Sequence, residues 1–207
     1  MNPCQKPAMC IILSGLPCTG KSTWGEQFAG KLRGLTVKVI SSDAISYQIC
    51  EEYNTDPSRE PLDYASVWRD HRSEIEDRYK STIDQAKIDG STDIIIFDRT
   101  HTTLLARKKV LEFAKGVQEI HLVSFQILNE AAWNDRLEGR NESHPDKKIT
   151  PAIISILRND ASPPEQAEGF SSICACLSIG ELGWEIEFEN SINKMIEAYH
   201  LACNKIG

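Results

Sequence analysis

The stretch GLPCTGKST, residues 15–23, constrains this chain more than any other. It fits the spacing G-x-x-x-x-G-K-[ST] with Gly15, Gly20, Lys21 and Ser22, and it follows an apolar run at 9–13 with the length of a buried strand. Glycines let such a loop curl with its backbone N–H groups turned inward. The result is an anion nest at the positive N-terminal end of the next helix. Trp24, Phe28 and Leu32, four apart, supply the apolar stripe of that helix. Lys21 offers a movable charge to the β- and γ-phosphates of a nucleotide, and the Ser22 hydroxyl is a ligand for Mg2+. Pro17, Cys18, Thr19 and Thr23 complete the nucleotide-binding stretch.

The rest of the chain alternates between the two kinds of element. Strands are predicted at 36–40, 93–98, 121–127 and 173–177, and helices at 67–88, 103–114, 130–137, 151–160 and 187–205. Residues 51–66, polar with two prolines, read as a loop or mobile insertion. This alternation predicts a three-layer α/β fold with a mostly parallel sheet, in one domain spanning residues 1–207. With parallel strands and right-handed crossovers, the loop, Asp43 and Asp98 should meet at the carboxyl edge of the sheet.

Composition narrows the classes. Hydrophobic residues make up 41% and charged residues 26%, as in soluble globular proteins, and no apolar run is long enough to span a membrane. The first eight residues carry no apolar segment of the secretory kind, and the seven cysteines lack zinc spacing, so reduced thiols and a cytoplasmic setting are expected. Cys174 and Cys176 alternate and should share one face of the sheet. A net charge of −7 excludes coating of nucleic acid by bulk charge but leaves room for a small basic pocket that grips a strand end.

Phosphoryl transfer to a hydroxyl requires a carboxylate beside the acceptor, a metal and cations for the developing charge. Asp43 is the candidate carboxylate; its other reading is the cap of a helix beginning near Ala44. Asp98 closes its strand and could order Mg2+ through water; its other reading is a turn acid. Arg136 and Arg140 share a helix face and can swing over a triphosphate, or else end a solvated helix. Residues 139–148 have the polar character of a lid, placed within about 136–150. Arg158 is a weaker candidate. His101 lies on the crevice side and is a possible substrate contact, whereas His71, His121, His144 and His200 read as structural or surface residues. Arg107 with Lys108 and Lys109 forms a compact basic cluster whose default meaning is a solvated helix face.

GLPCTGKSTW, Asp43 after the second strand, FDRTH at 97–101, and RLEGR at 136–140 followed by KKITPAIISILR together resemble the small P-loop kinases. That group includes the phage-type polynucleotide 5'-hydroxyl kinases and, more distantly, zeta-toxin and seryl-tRNA kinases. The resemblance covers about residues 9–170. It implies a sheet order of 2-3-1-4-5, ATP and Mg2+ at Lys21 and Ser22, Asp43 as general base, and Arg140 as the lid arginine on the β/γ bridge. Two departures concern the acceptor: Ser46 stands where an arginine would hold the acceptor's phosphate, and Asp-Thr-Asn is altered to Asp98-Arg99-Thr100-His101. Either Arg99 or Arg107 supplies the missing cation, or the acceptor is not a nucleic-acid end. The first reading is an ATP-dependent kinase of RNA or DNA 5'-hydroxyls, with Arg99, His101 and Arg107 as substrate contacts. The alternatives are a small-molecule or nucleotide-sugar kinase and a nucleotide-binding ATPase switch.

Overall fold

The structure, a computed structural model, describes residues 7–204. The expectations about a secretory signal at the first residues, the state of Cys4 and a terminal helix reaching Lys205 therefore fall outside the described residues.

Five strands, β1 (Met9–Ser14), β2 (Val37–Ser41), β3 (Ile94–Asp98), β4 (Glu119–Gln126) and β5 (Ser172–Leu177), make one sheet in the order β2-β3-β1-β4-β5. Every neighbouring pair is parallel, so the order is the one the resemblance implied. β1 is apolar throughout because both of its faces are buried. Cys10 and Ile12 enter one core with Ile49, Tyr79 and Ile83, while Met9, Ile11 and Leu13 enter the other with Trp24, Phe28 and Ile192. The first face is covered by α2 (Ser42–Thr55), α4 (Arg72–Ile88) and α5 (Leu104–Phe113), and the second by α1 (Lys21–Lys31) and α8 (Trp184–Asn204). Cys174 and Cys176 both enter the second core, as their alternation predicted, and the cysteines among the described residues are free thiols.

Three elements differ from the sequence reading. The loop expected at 51–66 shrinks, because α2 runs to Thr55 and a further helix, α3 (Tyr64–Asp70), begins where the Asp63 carboxylate accepts from Ser66 N. The helix expected at 67–88 is two helices, α3 and α4, which meet at His71. The helix expected to end at Leu137 continues as α6 (Glu130–Ser143), and a 3-10 turn at Pro145–Lys147 leads into α7 (Pro151–Asn159). Gly139 costs a helix interior about 1 kcal/mol. Against this, Asn141 clamps both the N–H and the carbonyl of Ile149 at 2.9 and 3.0 Å, which closes the lid back on its helix.

Because all strands run one way, their carboxyl ends share an edge. Register sets Ser41 and Leu13 on either side of Asp98 there.

Candidate active site

The loop between β1 and α1 is held open to anions by its backbone. Gly20 stands at φ +95°, where a Cβ would meet Ile179 at 2.5 Å, and Cys18 adopts a left-handed φ of 61°. α1 has no side-chain cap, so the first N–H groups of the helix are available to a ligand. Two groups on α6 brace the loop from outside: Trp133 Nε1 donates to Pro17 O at 2.8 Å and Arg136 Nε to Cys18 O at 3.2 Å. Arg136 also donates to the Ser178 hydroxyl beyond β5, so its guanidinium is already engaged alongside the loop.

Lys21 is nearly buried, and its ammonium donates to Gly15 O at 2.9 Å and Leu16 O at 2.7 Å. Burial pulls its pKa down to about 8, against the opposing pull of Asp98. Beside it, Ser22 Oγ donates to Asp98 Oδ2 at 2.7 Å, and burial pushes the Asp98 carboxyl up from its ordinary range. Thr23 follows, exposed in the first turn of α1. An uncapped helix start, a lysine and a serine–carboxylate pair fit a nucleotide phosphate with its Mg2+. Such a cation needs few protein ligands beside the phosphates, and no cluster of three or more His, Cys, Asp or Glu suited to a metal occurs among the described residues.

Asp43 does not cap its helix. Ser41 does, accepting from Ala44 N at 3.4 Å, which leaves Asp43 exposed in the first turn of α2. Tyr64 of α3 donates its hydroxyl to Asp43 Oδ1 at 2.7 Å, and burial followed by the Asp43 charge raises the phenol's own pKa. Across from it, Arg140 Nη1 donates to Lys147 O at 2.7 Å. The Lys147 ammonium sits 3.5 Å from the centroid of the Tyr47 ring and 4.9 Å from that of Tyr64. Lys21, Ser22, Asp43, Asp98, Arg99, Arg140 and Lys147 thus line one cleft of about 900 Å³.

Of the expected substrate contacts, Arg107 is corrected and His101 lies outside the main cleft. Arg107 is fully buried and forms a bidentate pair with Glu168, both oxygens at 2.8 Å, so it has no guanidinium free for a substrate. His101 is 4% exposed; its Nδ1 is hydrogen-bonded to Leu13 O at 2.9 Å, and burial pulls its pKa down to about 3. Its ring fastens β1 to the strand-end loop; it is absent from the main cleft and lies in the wall of a smaller cavity between α4 and α5. Arg158 faces elsewhere, paired with Glu130 over the Trp133 ring. Ser46 is buried and donates to Ser42 O at 2.8 Å, so that helix position faces the core.

Sequence reasoning missed Tyr64, Trp68, Arg72 and Lys147, which also line the cleft. Asp63 ahead of Tyr64-Ala-Ser, with Tyr64 and Trp68 four apart, was the available signal for α3. Nothing in the sequence marks the break at His71.

A parallel sheet in the order 2-3-1-4-5 with a phosphate-binding loop between β1 and α1 defines a P-loop nucleotide-binding domain of kinase-like fold. The chain belongs to the family described as AAA domain, whose family model matches residues 10–158. No match was found among curated proteins. Among solved structures, a candidate kinase from Chloroflexus aurantiacus J-10-fl is similar with TM-score 0.68 at 15% identity, over 96% of this chain and 98% of that one. Chaetomium thermophilum Kti12 in complex with ADP-AlF3 matches with TM-score 0.61 at 15% identity, over 92% and 98%. A gluconokinase from Sinorhizobium meliloti 1021 matches with TM-score 0.55 at 17% identity, over 94% and 97%. At such identities these likenesses establish the fold alone. No helix among the described residues is long and apolar enough to cross a membrane.

Proposed function

We propose that the protein is an ATP-dependent kinase that transfers the γ-phosphate to a hydroxyl acceptor, the 5'-hydroxyl of RNA or DNA being the first candidate. The observation that carries this reading is the release of Asp43 from capping duty by Ser41, with the carboxylate exposed in the same cleft as Lys21, Ser22, Asp98 and Arg140. In this reading the loop N–H groups, Lys21 and Arg140 bind the phosphates of ATP and offset the charge that builds on them. Ser22 and Asp98 would hold Mg2+, which supplies further charge neutralisation when bound. Asp43 takes the proton of the acceptor hydroxyl through Oδ2, while Tyr64 keeps Oδ1 in place. Arg140 and Lys147, joined through the lid backbone, close over the phosphates and exclude water.

A second acceptor class has its own support. The buried Ser46 denies the cleft a cation at the helix position where the polynucleotide kinases carry one, and the gluconokinase shares the fold, so a small hydroxyl compound is the competing acceptor.

Incubation with labelled ATP, Mg2+ and a 5'-hydroxyl oligonucleotide tests both. Label is expected on the 5' end, lost with Lys21→Ala and with Asp43→Ala, the latter still binding ATP. Label on small polyols and none on the oligonucleotide would reject the nucleic-acid acceptor while keeping the kinase.

A further inference from the structure

We propose that the cavity between α4 and α5 is an anion subsite that binds a phosphate ester carried by the acceptor. The proposal rests on the kinase reading and adds the chemical class of the acceptor to it.

The cavity measures about 320 Å³, the small end of the range for ligand pockets, and it shares Arg72, Arg99 and Thr100 with the main cleft. One acceptor can therefore span both. Its wall holds three cations, Arg72, Arg99 and Lys109, against one carboxylate, Glu76. That surplus of positive charge occurs in a chain whose net charge is −7. Glu76 is shared between Arg99 at 2.8 Å and Lys109 at 2.6 Å, so a single carboxylate answers two of the cations. The exposed side chain of Arg72 has no hydrogen bond or ion pair among the described residues. It also stands at the first position of α4, the end where the helix dipole disfavours a cation. Nothing in the folding of α4 calls for a guanidinium there.

A second, independent observation points the same way. Tyr79, also in the wall, is 1% exposed, and its hydroxyl is buried without a hydrogen-bond partner. A buried polar group in that state costs free energy, which a ligand oxygen recovers once a small shift of the cavity wall admits it. The guanidinium of Arg99 lies over the Tyr79 ring with its carbon 5.0 Å from the centroid, which holds the fork against the ring face in the cavity wall.

The charge count selects the ligand class. An ester phosphate carries up to two negative charges and three acceptor oxygens, which matches the net two positive charges of the wall and a phenol better than a single carboxylate does. A neutral polyol would leave the subsite unused. The missing cation at Ser46 is thereby supplied from α4 and the β3 end, by Arg72 and Arg99.

Inorganic phosphate is the probe, titrated by calorimetry into protein whose phosphate loop is filled with ADP and Mg2+. Saturable binding is expected, weakened at least about tenfold in Arg72→Ala, since a charged hydrogen bond is lost. Arg72→Lys should fall between the two, and Glu76→Gln should bind tighter because a competing anion is gone. Acetate should bind far more weakly. No phosphate binding, equal binding by Arg72→Ala, or equal binding of acetate would overturn the subsite as described. If ADP itself fails to bind, the kinase reading falls instead. The same titration on Lys21→Ala protein then still reads the subsite, because that variant weakens the phosphate loop alone.

Discussion

Tyr64 gives one oxygen of Asp43 a fixed partner at 2.7 Å, and the carboxylate keeps its other oxygen for the cleft. That division of labour is invisible to a motif search, because Tyr64 lies 21 residues further along the chain. Lys21 shows the opposite case, a residue found at once by its motif whose behaviour depends on burial. Taking the ammonium out of water favours the neutral amine, so the free protein loses this charge as pH rises through about 8. Polyphosphate restores the charged form, and binding must then take up a proton above that pH. ADP affinity should accordingly be level below pH 7 and fall by up to about tenfold per pH unit above 8. Calorimetry at pH 7, 8 and 9 in buffers of different ionisation enthalpy reads both the affinity and the proton. A flat profile would mean that Lys21 keeps its charge when free.

Between elements, the cleft depends on how α3 and the lid meet. The ammonium of Lys147, in the 3-10 turn, rests on the rings of Tyr47 from α2 and Tyr64 from α3, so one side chain ties three elements over Asp43. Such contacts contribute about 0.5–2 kcal/mol. Lys147→Ala should speed backbone hydrogen exchange across 140–150 several-fold and lower the ratio of acceptor phosphorylation to ATP hydrolysis, with the sheet's exchange unchanged. Unaltered exchange in the lid would show that the Asn141 clamp alone holds it. The sequence made β1 and α1 legible because burial on both faces writes a continuous apolar run and a four-residue stripe, whereas the sheet order came only from the resemblance to the small P-loop kinases. It hid α3 because two prolines and a polar surround mask a short helix whose start rests on one cap, Asp63. At the break, His71 meets the Tyr53 ring 4.9 Å away, a neighbour from α2 that no local pattern records, as well as the local carboxylate of Glu74 at 3.2 Å. Arg99 and Arg107 looked interchangeable for the same reason. They are separated only by which carboxylate each finds, Glu76 or Glu168.

At the scale of the molecule, the crevice stays in shape because segments distant in sequence are fastened behind it. Arg107 is the principal tie. From α5 it pairs with Glu168 and donates to Thr102 O at 3.0 Å and to Ser162 O at 2.9 Å, so the strand-end loop, α5 and the segment before β5 share one guanidinium. The side chains of Arg107 and Glu168 are 1% and 6% exposed. Removing one partner therefore leaves a buried charge and several carbonyls without a donor. Arg107→Met keeps much of the volume and should destabilise the protein by about 3–5 kcal/mol in denaturant unfolding. ADP binding measured well below the melting temperature should be preserved, since Arg107 is absent from the cleft wall. Loss of nucleotide or acceptor affinity with stability intact would return Arg107 to the binding machinery. Loss of stability alone assigns it to the frame that holds Asp98, Arg99 and Thr100 at the mouth of the cleft.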